Sequence, residues 1–532
     1  MPLFSNAKSP TVTGCVLLPP HFHVHDRQRV RHLWWLGLAL AAAAAAQVTL
    51  MAAVPVQPEE AHHWNFGCHL DSSYFDHPPL LAWSIAIGRL LFGDTRVGVR
   101  FIPLLCDFGT IWLCARLAGQ IYGEAAARWA VLMYALQPAA FLVGGWGFPD
   151  APLLFFWMLT LSFVWQALQS ERPGWWLAAG TGLGGALLSK YTAAFLVPSL
   201  LLYLLVSRDR RRWLATPWPY VACVVSLLVF APVLYWNWAH DWASFRFQSV
   251  ARFQAANRVS LIAGLQSTAE QWLLCAPVTL PLAVVTAWRG FRATEPGDQF
   301  LFWSFAPMAM FFFLMGWTPS FHVLWAVPAY LGLSVALAGA IASRSDSLSF
   351  FYWARWKTLV TVSTVMTFSV AIHCAFVVPF VPPLRAVYGW EEVVKRCRAL
   401  RLPLAADCFY LGLGGRSYSC PSQLAFHLQE PFGVHGQEIL GLDSLQSRFW
   451  SNPSELEGKD AIVVVEGGDV TGGFRERLQM FFRNVETAGD CEFPVGQLAP
   501  QYVRPVRFTF YRAWQYSAAV KEQQTQLSPR VE

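Results

Sequence analysis

Charge is the scarcest commodity in this 532-residue chain: 14% of its residues are Asp, Glu, Lys or Arg, against 55% hydrophobic residues. Soluble globular chains carry about 25% charged residues. A chain this poor in polar groups cannot cover its own apolar surface, so lipid must form part of its solvent. Nucleotide chemistry has little to stand on either, since no Walker loop and no glycine-rich nucleotide-binding signature is present. The 11 cysteines show no zinc spacing. Five of them, Cys106, Cys114, Cys223, Cys275 and Cys374, lie in apolar runs and read as packing residues. Cys397, Cys408, Cys420 and Cys491 lie in the polar C-terminal third, where an oxidising compartment would permit one or two disulfides.

What the chain has in abundance is apolar runs and tryptophan, with 26 copies, many flanking those runs as interfacial rings do. The runs predict about eleven membrane spans: 33–54, 101–120, 125–145, 150–168, 174–188, 191–206, 214–236, 268–288, 299–317, 322–342 and 357–380. The expected fold class is therefore mainly α, polytopic, with a small α/β domain after the last span. The net charge of +6 is concentrated in loops, as in Arg27, Arg29 and Arg31, then Arg208, Arg210, Arg211 and Arg212. Under the positive-inside rule, residues 1–32 form a cytoplasmic tail and the basic loops 207–213, 289–299 and 343–357 also face inward. His21, His23 and His25 in that tail alternate as metal ligands can, although a disordered tail explains them as well. The same count places loop 55–100, the junction 146–150, loop 237–267 and the region 383–532 outside. Within 383–532, 404–413 and 461–465 read as strands and 421–428 as a helix, which makes a soluble α/β domain; 33–382 is then the membrane-embedded domain.

Ionisable residues collect on the outer side. Glu59 and Glu60 follow a span directly, where acids are costly unless paired or functional. Asp76-His77-Pro78-Pro79 is stiffened by its prolines and presents Asp76 and His77 from a rigid loop. Asp150 opens a span and reads as a functional acid or as a helix cap, and the two roles can coexist. Lys190 interrupts the apolar stretch 183–206 and calls for an anionic partner such as phosphate. Loop 235–248 mixes aromatics with Asn237, His240, Trp242, Arg246 and Gln248, suiting a sugar or a lipid head group, or else an interfacial helix. Carboxylates able to take a proton and cations able to hold a leaving phosphate are the inventory of glycosyl transfer. Nucleotide sugars are generally absent outside the cytoplasm, which favours a lipid-linked donor.

Taken in order, these segments resemble the GT-C glycosyltransferases of the dolichyl-phosphate-mannose protein mannosyltransferase type (glycosyltransferase family 39) and, more closely, bacterial relatives of the lipid A aminoarabinose transferase type (family 83). The resemblance rests on Glu59-Glu60-Ala61-His62-His63-Trp64, Tyr74 to Pro79, Pro149 to Leu153, Ser189 to Thr192, Trp236-Asn237, His240 to Trp242, Ser244-Phe245, Trp325 to Tyr330 and Ser422 to Leu428. It implies an inverting transferase of the bacterial inner membrane, using a polyprenyl-phosphate sugar, no nucleotide cofactor and a glycolipid or protein acceptor. It implies that Glu59 or Glu60 and Asp150 are catalytic, that His77, Lys190 and Arg246 bind donor phosphate, and that Asp76 binds a divalent metal. His62, His63, Trp64, Tyr74, Asn237, His240 and Trp242 would line the substrate site. A non-catalytic flippase of polyprenyl-linked sugars would also need charge and aromatics, but at broken helices near the midplane. A receptor acting through its C-terminal region is the third reading.

Overall fold

The computed structural model describes residues 41–342 and 387–518, less 252–258, 276–279, 494–505 and isolated positions. The expected tail 1–32, most of the first expected span, the span at 357–380 and the loop 343–357 lie outside the described residues. The chain divides into two units, Met1–Ala45 and Ala46–Glu532. The first lies almost wholly outside the described residues, and the second carries everything that follows.

The second unit is mostly helical. In chain order the helices are α1 (Pro58–Cys68), α2 (Leu80–Phe92), α3 (Arg96–Tyr122), α4 (Glu124–Ala135), α5 (Pro138–Gly144), α6 (Asp150–Ser170), α7 (Gly174–Ser189), α8 (Leu196–Val206), α9 (Trp218–Ala239), α10 (Leu261–Cys275), α11 (Leu280–Arg292), α12 (Pro296–Met315) and α13 (Val327–Ala342). Among the described residues, five helices are long and apolar enough to cross a membrane: Arg96–Tyr122, Asp150–Ser170, Trp218–Ala239, Pro296–Met315 and Val323–Ala342. The run expected at 125–145 is split into α4 and α5 around Gln137 and Pro138, because proline lacks the amide that would continue the helix. The expected outside loop 55–100 is itself folded, with α1 and the apolar α2 joined by the Asp-His-Pro-Pro turn. The helical core is dominated by α3, α6 and α13, where Leu117, Trp157, Leu161, Val335 and Ala338 are buried together.

Residues 387–518 add α14 (Trp390–Arg401), α15 (Ser419–Leu428), α16 (Gly473–Phe481) and a five-stranded sheet. Its strands are β1 (Phe409–Gly414), β2 (Val434–His435), β3 (Ala461–Glu466), β4 (Phe482–Phe493) and β5 (Val506–Tyr516), in the order β2-β1-β3-β5-β4. β1 pairs in parallel with β2 and β3, while β5 runs antiparallel to β3 and β4. The run Ala-Ile-Val-Val-Val is buried on both faces, as a central strand requires. Ile462 and Val464 meet α14 and α15 on one side, and Ala461, Val463 and Val465 meet α16 on the other. The disulfides allowed by the sequence are not formed: Cys397, Cys408, Cys420 and Cys491 are free thiols. Three of them are buried as small apolar side chains in the layer that also takes Trp64, Leu81 and Ile85 from α1 and α2. That shared layer joins the sheet to α1.

Candidate functional site around α1

Helix α1 opens with Pro58 at its first turn, where the missing amide costs nothing. Glu59 and Glu60 follow in that turn, favoured by the helix dipole. With about 100° between successive residues, the two acids point to different surroundings.

Glu60 is wholly buried and fully engaged. Its carboxylate receives the Arg100 guanidinium at 2.5 and 2.6 Å, the Gly147 amide at 2.7 Å and the Gln57 amide at 2.9 Å. Arg100 spends its remaining donors on the carbonyls of Met51, Val54 and Pro55. Gly147 has no room for a side chain, since a Cβ there would fall 2.8 Å from a Val99 methyl. One ion pair thus binds the residues before α1, α1 itself, α3 and the segment leading to Asp150.

Glu59, by contrast, is half-buried and makes no hydrogen bond or ion pair among the described residues. One ligating atom from each of Glu59, His63 and His77 lies within 4.8 Å of the others. Glu59 and His63 are one turn apart on α1 and share a face. His63 is buried, and both its ring nitrogens are unpartnered among the described residues. Burial, with the neighbouring His77 and His62, holds its imidazole well below the usual range, so it is neutral. His77 is oriented through its Nδ1 by Asp76 Oδ2 at 3.1 Å, and the same oxygen meets His62 Nε2 at 3.1 Å. Burial alone would raise the Asp76 carboxyl. The charge and hydrogen bonds of His62, followed by those of His77, instead hold it well below the carboxylate range. Asp76 Oδ1 is buried without a partner among the described residues.

Asp150 stands at the first position of α6, after Pro149, and caps nothing with its side chain. Its carboxylate takes the Lys190 ammonium at 2.7 Å. Lys190 sits at the break between α7 and the 3-10 turn Tyr191–Phe195, in extended backbone. His322, just before α13, lies within electrostatic reach of Lys190, Glu59, Asp150 and Arg416. The acids and the lysine proposed from sequence therefore converge on one region.

Loop 235–248 also reaches this region. Gln248 donates to the Asp76 carbonyl at 2.7 Å, and Trp236 donates to Asp71 at 3.0 Å. His240 stacks on Trp236 with ring centres 4.1 Å apart. Trp242 is exposed in left-handed backbone, and Arg246 is exposed. Several aromatic and polar candidates hold the scaffold together. The Trp64 indole donates to Asp94, the Tyr74 hydroxyl to the carbonyls of Phe66 and His69, and Asn237 bridges Val233 to the Phe245 amide.

The C-terminal region supplies neighbours that sequence reasoning did not place. Tyr418 packs on His62 with ring centres 4.7 Å apart, and Arg416 and Tyr418 lie within electrostatic reach of Glu59. Gln423 donates to the Val56 carbonyl at 2.8 Å, and Gln446 accepts from the Phe75 amide at 2.6 Å. These contacts span more than 300 residues of sequence, and no local pattern marks them. Arg100 gave a local signal, an arginine one turn inside an apolar helix.

Residues 76–236 match the model of the dolichyl-phosphate-mannose-protein mannosyltransferase family. The lipid A galacturonosyltransferase RgtD of Rhizobium johnstonii is 26% identical over 276 residues, covering 51% of this chain and 58% of its own. The undecaprenyl phosphate-alpha-4-amino-4-deoxy-L-arabinose arabinosyl transferase 2 of Pseudomonas fluorescens is 24% identical over 340 residues, covering 60% and 55%. The chain thus matches a little over half the length of these relatives. The crystal structure of ArnT from Cupriavidus metallidurans bound to undecaprenyl phosphate is 16% identical, with a TM-score of 0.58 over 90% of this chain and 98% of ArnT. The chain has the fold seen in ArnT, and it resembles the undecaprenyl-phosphate-dependent arabinosyl transferases in sequence as well as in fold.

Proposed function

We propose that this protein transfers a sugar from a polyprenyl-phosphate donor to a hydroxyl of an envelope glycolipid or protein, with inversion at the sugar C1, on the outer side of a bacterial inner membrane. The reading includes about eleven spans and an outward-facing α/β domain over 383–532. Its main support is the convergence of a free carboxylate, Glu59, with the Asp150–Lys190 pair and the Asp76–His77 pair. The similarity to the undecaprenyl phosphate-linked arabinosyl transferase supports the donor class.

In this reading Glu59 takes the acceptor hydroxyl's proton as the oxygen attacks C1. The C1–O bond to phosphate breaks, and the bonding pair leaves with the polyprenyl phosphate. Lys190, steered by Asp150, and His77 neutralise the charge that develops there. Glu60 positions α1 and does not touch substrate. Radiolabelled undecaprenyl-phosphate sugars, offered to the protein in membranes, test the assignment. The Glu59→Ala, Asp150→Ala double variant is expected to lose transfer, and wild-type transfer by it would reject the mechanism. Lys190→Met should raise the donor KM about tenfold or more, the loss of one charge-assisted contact to phosphate.

Glu59, His63 and His77 also form a donor set that suits zinc or a similar ion, in which Glu59 would ligate through one carboxylate oxygen and keep the other for the acceptor proton, and His77 would serve as a neutral imidazole with the ion taking over its place at the phosphate. The unpartnered nitrogens and neutral state of buried His63 fit such a ligand. Asp76 then supports His77 from behind, as carboxylates orient ligating histidines. A bound ion would supply charge neutralisation at the leaving phosphate. Elemental analysis of the purified protein is expected to find bound metal, and His63→Ala to lose most of it. Equal metal content in the two proteins would remove this set.

A further inference from the structure

The loop between β1 and α15 carries a cation, Arg416, that the reaction described above does not use. The loop leaves the carboxyl end of β1. From there the chain crosses through α15 to β2 on one side, while β3 lies on the other, both parallel to β1. In open α/β sheets, ligand sites favour the carboxyl ends of strands at such a point of divergence. The loop is also tightly built. Gly414 and Gly415 take positive φ of 80° and 59°, and a Cβ on Gly415 would fall 2.4 Å from Ser419 Oγ. That oxygen accepts from the Arg416 amide at 3.1 Å and donates to the Glu466 carboxylate at 2.8 Å. Arg416 thus projects from a fixed backbone.

The Arg416 side chain is exposed and is aimed by Tyr418. Its Nη1 donates to the Tyr418 hydroxyl at 3.1 Å, and the Tyr418 ring packs on His62 of α1. This brings the guanidinium within electrostatic reach of Glu59 and His322. Among the described residues no carboxylate pairs with it: Glu466 is turned to Ser419, and Glu59 makes no ion pair. A guanidinium is a planar fork of N–H donors that matches carboxylate and phosphate oxygens, and a single hydroxyl leaves donors to spare. In the proposed reaction Lys190 and His77, both from the helical part of the chain, meet the leaving phosphate. A further cation arriving from the C-terminal region suits a different anion.

We propose that Arg416, aimed by Tyr418, selects a substrate whose sugar carries an anionic group, a carboxylate or a phosphate monoester distinct from the leaving phosphate. The inference rests on the transferase reading for its substrates, but the preference for an anion is read by binding alone.

The test measures affinities of matched lipids for the full chain in detergent micelles. One pair is undecaprenyl-phosphate galacturonate and galactose. The other is a diacylated glucosamine glycolipid with and without a phosphate monoester. In at least one pair the wild type should bind the anionic member about ten- to a hundredfold tighter, the worth of a hydrogen bond to a charged group. Arg416→Gln should bring that pair to parity with an unchanged unfolding temperature, because the side chain is exposed. Arg416→Lys, which keeps the charge but not the fork, should keep part of the preference, and Tyr418→Phe should weaken it severalfold. A response in the donor pair assigns the anion to the transferred sugar, and one in the glycolipid pair assigns it to the acceptor. Parity in both pairs for the wild type would overturn the proposal. So would an equal loss of both members in Arg416→Gln, the mark of a contact to the leaving phosphate. An altered pH profile of kcat in Arg416→Gln with the preference intact would make Arg416 an electrostatic partner of Glu59 instead. A preference without transfer from any donor would sink the transferase reading and leave the anion site standing.

Discussion

Glu59→Gln is expected to lower sugar transfer by about a hundred- to ten-thousand-fold, the contribution of a positioned general base, without disturbing the fold. Glu59 makes no hydrogen bond or ion pair to any described residue, so in the chelator-treated, metal-free protein replacing its carboxylate with an amide leaves no neighbour stranded. The unfolding temperature should be unchanged, and the donor KM should move far less than kcat. Single-turnover transfer with saturating donor separates these quantities. A variant with near wild-type kcat would assign the proton to another group, and the Asp150→Asn rate would show whether that group is Asp150.

Glu60→Ala, one residue along, should do the reverse. It leaves the buried Arg100 guanidinium without its counter-charge, and breaking such a pair from one side costs about 3–5 kcal/mol. It also strips the Gly147 amide of its acceptor. Thermal unfolding in detergent should show a large drop, and the expressed protein should be poorly monodisperse. Arg100→Leu should be no gentler, because the carbonyls of Met51, Val54 and Pro55 then lose their donor. Replacing both partners with leucine should not restore stability, for the same reason. The contrast between adjacent glutamates is the sharp outcome: a stable Glu60→Ala beside an unstable Glu59→Ala would reverse the two roles.

The sequence made part of this legible for physical reasons. Charge is so costly near lipid that Asp150 and Lys190 stood out, and they are paired at 2.7 Å. The prolines after Asp76-His77 announced a rigid turn, and that turn holds Asp76 between two histidines. The strand around Val463 declared itself by being apolar throughout, which only a strand covered on both faces sustains. Other features were hidden. Two adjacent glutamates look alike until the helix phase and a partner 40 residues away distinguish them. The aromatic richness of the first outer segment suggested ligand contact, yet Trp64 and Tyr74 are buried and spend their polar atoms on Asp94 and on backbone carbonyls.

The use of different faces of α1 by Glu59 and Glu60 has an evolutionary corollary. Adding or deleting a single residue between Pro55 and Glu59 would turn every later side chain of the helix by about 100°. The ion-paired acid and the free acid would then both be turned away from their surroundings at once. Homologous sequences should therefore tolerate substitutions in this segment far more readily than changes in its length.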